Sequence, residues 1–140
     1  MEASAVIFEE APADMSREDY IESSLNWQVW QSQKYRDDNL SRTAAALSYD
    51  RAFYPEGATR QLAAVYGTGR RHDQVATISV PTLVIHGTDD QLITPSGGER
   101  TAELIPNSTL LMVDDMGHDM PQPLWPFYLD AISKHTALVK

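Results

Sequence analysis

Asp90 and His118 are the two residues of this chain whose types and spacing can do chemistry together. A carboxylate beside an imidazole holds the ring in one tautomer and stabilises the imidazolium that forms when the ring takes a proton. That is the orienting-and-base half of a nucleophilic mechanism. The two residues lie 28 positions apart, enough for one helix and one strand. Asp89 is the alternative acid. Asp90 also reads as a cap for the helix after it, since aspartate is favoured there. His118 also reads as an ordinary loop histidine, with Gly117 making the turn.

Such a pair needs elements that carry both residues to one place. Thr82-Leu83-Val84-Ile85-His86 is a continuous apolar run rich in β-formers, and Thr109-Leu110-Leu111-Met112-Val113-Asp114 is a second. Both read as strands buried on both faces. Gly87-Thr88-Asp89-Asp90 turns out of the first, and Pro95-Ser96 opens a helix that ends near Ile105-Pro106. Strand, helix, strand is a βαβ unit, with a right-handed crossover and parallel strands ~4.8 Å apart. The loops after the two strands then leave the same carboxyl edge, where open α/β sheets place their ligands. Asp90 follows the first strand and His118 the second, so the side chains can meet there. A final helix covers roughly 123–138.

The first half reads as helical. Ser16 followed by Asp19 resembles a capping box with Asp in place of Glu. Tyr20, Ile21, Leu25, Trp27, Val29 and Trp30 then give a broad apolar face to about Tyr35. Trp27 and Trp30 are candidates to line a substrate pocket, with core packing as the alternative. A second helix is expected over 41–53, and Pro55 opens a third that Gly67 ends. Residues 68–73 form a polar linker. Ala5-Val6-Ile7-Phe8 suits a short strand or a helix turn, ended by Pro12.

With 140 residues, one domain is the default, and the net charge of −9 argues against nucleic acid or an anionic membrane surface as partner. The chain has no cysteine, which excludes disulfide and thiolate chemistry and fits a cytoplasmic location. No window approaches the ~18 apolar residues of a membrane span. His72, His86, His118 and His135 offer no three with metal-ligand spacing, so neither metal nor cofactor is expected. His86, within a strand, reads as packed.

Pro81-Thr82-Leu83-Val84-Ile85-His86-Gly87-Thr88-Asp89-Asp90 resembles the acid motif of α/β-hydrolases, and Met116-Gly117-His118-Asp119 resembles their histidine motif. The likeness is greatest to esterase- and lipase-like members related to aclacinomycin methylesterase, where the chain order is nucleophile, acid, base. It covers residues 80–135 strongly. It implies an α/β fold: the C-terminal part of an α/β-hydrolase, with residues 1–73 as a helical cap and 74–140 as part of the core. It also implies Asp90 as acid and His118 as base of a catalytic triad.

The Gly-x-Ser-x-Gly elbow of that family is missing. Ser96-Gly97-Gly98 has its glycines on the wrong side and lies past the acid. The expectation is therefore an ester-hydrolase type that is inactive alone. Two alternatives stand beside it: a non-catalytic binding module, and one half of a split hydrolase completed by another chain. A two-stranded parallel sheet is not stable by itself, so the partners expected are a second copy, as a homodimer, or the missing half.

Overall fold

Two six-residue strands, β1 (Thr82–Gly87) and β2 (Ser108–Val113), pair in parallel from Thr82 opposite Ser108 to Gly87 opposite Val113. The structure is a computed structural model that describes residues 11–138, so the Ala5–Phe8 segment lies outside the described residues. The chain divides into two compact units. Among the described residues, one holds 11–29 and Asp37–Arg70, and the other holds Trp30–Arg36 and 71–138.

In the helical unit, α1 (Arg17–Ser23) starts at the N-cap Ser16, whose side chain accepts from the Asp19 amide. The expected long helix to Tyr35 is not formed. A 3₁₀ segment, Ser24–Trp30, follows α1. Ser23 and Ser24 give the physical reason: their hydroxyls bond back to the carbonyls of Tyr20 and Ile21, which competes with helix propagation. Next, α2 (Asp38–Arg51) begins earlier than its alanine-rich sequence suggests. Asp37 caps it by accepting from the amides of Asn39 and Leu40. Pro55 does open α3 (Pro55–Thr68), but the C-cap is Gly69, with φ of +64°, rather than Gly67. Tyr20, Tyr49 and Phe53 pack around one another with ring centroids 4.7–5.6 Å apart, the closest pair stacked.

In the strand unit, a short helix α4 (His72–Val75) occupies the end of the expected linker. Helix α5 (Pro95–Leu104) crosses between the strands in sequence and packs on both. Gly98 allows its close approach, because a Cβ there would lie 2.6 Å from the His86 ring. After β2 comes a 3₁₀ turn (Gln122–Leu124) and then α6 (Trp125–Ala137). Val113, Met116 and Tyr128 form the buried core, with Ile85, Leu111 and Leu124 around it. His86 and Ile85 are successive strand residues and so point to opposite faces. Helix α5 therefore covers one face of the pair and Tyr128 of α6 covers the other. The strands are half-buried, not fully buried as their apolar runs suggest, and Leu110 is exposed. Each has one strand neighbour among the described residues.

Candidate active site

The two strands end side by side, and the loops beyond them are laced together. The Thr88 amide donates to the Val113 carbonyl and the Asp89 amide to the Met116 carbonyl, both at 3.0 Å. Gly87 is required at this junction, since a Cβ would sit 2.1 Å from the Met116 carbonyl oxygen. Asp115 takes φ of +61° where the second loop turns, a conformation that aspartate tolerates better than most residues.

Asp90 is buried, with 6% of its surface exposed. Its two carboxylate oxygens have separate partners. Oδ1 accepts from the amides of Leu92 and Ile93, each at 2.9 Å. Oδ2 faces His118 Nδ1 at 2.8 Å. The amides thus fix the carboxylate in its own loop and leave one oxygen for the imidazole. Asp90 does not cap α5, whose N-cap is Thr94. Asp89 does not make this contact, and its carboxylate accepts from the Thr88 hydroxyl.

The His118 side chain is 44% exposed. Because a carboxylate only accepts, the proton between Asp90 and a neutral His118 sits on Nδ1, which leaves Nε2 with a free lone pair. His86 stands on the other side of Asp90. Its Nε2 is 2.8 Å from the Ile93 carbonyl and 3.6 Å from Asp90 Oδ2. It is packed, as its place in the strand suggests, and it also ties down the loop that carries Asp90.

The two tryptophans fall in different units. Trp27 packs edge-on against Tyr20 at 6.3 Å between centroids and stays partly exposed. Trp30 begins the segment that joins the strand unit, and its carbonyl accepts from the His118 amide at 2.6 Å. Sequence reasoning missed this segment as a neighbour of His118. Its polar residues Gln31-Ser32-Gln33-Lys34 gave no local signal of burial, although Ser32 is completely buried.

A family model for the α/β hydrolase fold matches residues 9–121. The chain belongs to that family. It is 41% identical over 44 residues to Lipase 3 of Moraxella sp. (strain TA144), covering 31% of this chain and 14% of that protein. A serine hydrolase involved in carbazole degradation, the CarC enzyme, superposes with a TM-score of 0.66 at 16% identity, covering 93% of this chain and 51% of that one. The esterase RhEst1 from Rhodococcus sp. ECU1013 does so with a TM-score of 0.63 at 22% identity, covering 97% and 46%. At these identities the structural likeness is one of fold. The chain spans about half the length of these solved structures. Among its described residues, no helix is long and apolar enough to cross a membrane.

Proposed function

We propose that this chain supplies the acid and base of a carboxylic-ester hydrolase whose nucleophilic serine lies outside these 140 residues. The observation that carries the reading is the 2.8 Å contact between His118 Nδ1 and the buried Asp90 carboxylate. Nε2 of His118 takes the serine proton as the serine oxygen attacks the ester carbonyl. The imidazolium that results is stabilised by Asp90. It then protonates the departing alkoxide, and a water repeats the cycle on the acyl-enzyme. The cap assignment of the helices, the substrate-binding role of Trp27 and Trp30, and a cytoplasmic setting belong to the same proposal.

The chain alone is expected to show no turnover of p-nitrophenyl acetate above buffer, because both nucleophile and oxyanion hole are missing. Activity should appear when the remaining half of the fold is supplied in one reading frame or as a second chain. His118→Ala should then abolish it, and Asp90→Asn should lower kcat by about 10⁴. Turnover by the isolated chain that a serine-directed phosphonate blocks, or a completed enzyme indifferent to both substitutions, would overturn the reading.

A specific observation favours the split or assembled form as a second reading. Trp125, Leu129 and Ile132 recur at i, i+4 and i+7 on α6 and are all exposed, Leu129 at 63%. An apolar stripe of that kind suits burial against another chain, either the missing half or a second copy. Sedimentation equilibrium at micromolar concentration distinguishes them: a mass near 15.6 kDa removes the homodimer.

A further inference from the structure

His118 presents a positioning problem. Its ring is too exposed for packing to aim it, so its direction depends on the backbone of Met116–Asp119. That backbone is held from outside its own loop. The His118 amide donates to the Trp30 carbonyl at 2.6 Å. The Asp119 carboxylate accepts from the Ser32 amide at 2.9 Å. Gly117 lies against the same stretch, since a Cβ on it would meet the Trp30 oxygen at 2.4 Å and the Ser32 nitrogen at 2.7 Å. Lys34 pairs with Asp115 at 2.5 Å, at the start of the loop.

We infer that Trp30–Arg36 is a strap that holds the histidine loop, and that Asp119 is a positioning residue for His118 through the Ser32 amide. The inference rests on the acid–base reading above. Ser32 shows why Asp119 is the critical tie. It is fully buried, so its amide has no water to turn to, and a buried donor left without an acceptor is costly. The strap's own turn is local: the Tyr35 amide donates to Ser32 Oγ at 3.0 Å and the Arg36 amide to the Ser32 carbonyl at 3.1 Å. Those bonds shape the turn but do not attach it to the loop. Removing the Asp119 acceptor frees the turn to reorient toward solvent. Trp30 moves with it, and the His118 amide loses its carbonyl. The imidazole then spends less time on Asp90, although neither ring nor carboxylate has changed.

Nitrogen-15 NMR of the full chain tests this. In the unsubstituted protein His118 should be the Nδ1–H tautomer with a slowly exchanging proton. Asp119→Ala should give a tautomer mixture and speed exchange of the Ser32 amide by about tenfold or more, the effect of losing one bond to a charged acceptor. Asp119→Asn keeps an acceptor oxygen and removes the charge, so it should restore both signals. Restoration by Asn identifies the tie as positional; failure of Asn to restore them, or an unchanged tautomer in a folded Asp119→Ala protein, overturns the strap. If Asp119→Ala does not fold, hydrogen exchange of the unsubstituted chain decides: the Ser32 and His118 amides must open together, and unrelated rates refute the proposal. The acid–base reading fails separately, if His118 has no tautomer preference or keeps it in Asp90→Asn.

Discussion

The strand unit and the helical unit are held by different kinds of interaction. Around the histidine loop of the strand unit the polar contacts are long-range and each has one buried partner: Asp90 to His118, Ser32 to Asp119, and the two amide bonds from Thr88 and Asp89 to Val113 and Met116. The Arg–carboxylate pairs of the helical unit lie on the surface. Arg17 holds Asp50 at 2.7 Å and 2.9 Å, and Arg42 holds Glu22 at 3.0 Å and 3.2 Å, with every partner well exposed. Contacts sheltered at one buried partner are hard to exchange for water, so they define geometry. Exposed pairs can be exchanged, so each contributes little. Substitutions of comparable size should therefore have very unequal effects in the two units.

The largest effect is expected at the loop junction. Gly87→Ala sets a Cβ against the backbone carbonyls of Met116 and Gly117, neither of which is a movable side-chain tip. Overpacking against backbone should cost about 3 kcal/mol, read as a lower urea midpoint at unchanged slope. A variant that melts like the parent would show that the lacing is slack and would remove the contrast between the units.

Much of the strand unit was legible in the sequence because its signals are local. Thr82–His86 and Thr109–Val113 announce strands by composition, and Gly87 and Pro95 bracket the turn between them. Parallel pairing then follows from topology, and the meeting of Asp90 with His118 follows from parallel pairing. The strap was not legible. Ser32 and Asp119 are 87 positions apart, and nothing near Ser32 marks it as buried. The end of α1 was missed for a related reason: Leu25, Trp27 and Trp30 continue an apolar face, while the serine back-bonds that stop the helix depend on side-chain rotamers. Half-burial of the strands was missed because apolar runs report what a strand can bury, not how many neighbours it has.

A smaller effect is expected at a helix cap. Asp37 satisfies two amides of α2, so Asp37→Ala should cost about 1 kcal/mol, visible as lower helicity on heating. A loss as large as that of Gly87→Ala would place a structural keystone in the helical unit. Smaller again, and opposite in sign, is Tyr128→Phe. Tyr128 fills the strand unit's core, yet its hydroxyl has no hydrogen-bond partner among the described residues. Burial pushes its phenol above the usual tyrosine range, and the charges of Asp119 and Tyr35 act in the same direction. Removing an unsatisfied hydroxyl should be neutral or gain up to about 1 kcal/mol. A clear loss would mean that the hydroxyl serves the sheltered network after all.

The smallest effect should come from the surface pairs, and acid is the way to expose it. The Arg17 guanidinium hydrogen-bonds Asp50 and holds its carboxyl below the ordinary carboxylate value, and Arg42 does the same to Glu22. A carboxyl whose value is depressed on folding stabilises the fold fully above its unfolded value, near 4. That contribution is lost as pH falls through the lower, folded value. Between pH 6 and 8 both pairs are fully charged, so Asp50→Asn should alter thermal stability there only slightly, and less still in molar salt, where the Debye length is about 3 Å. The difference between Asp50→Asn and the parent should be flat from pH 8 to about 5 and then shrink toward zero in stronger acid, as the parent's own carboxyl protonates. Thermal melts across that range at low and high salt would trace it. A difference that grows in acid would reverse the sign argued here. A large, salt-insensitive difference at neutral pH would mean that the Arg17–Asp50 pair behaves like the sheltered contacts of the strand unit.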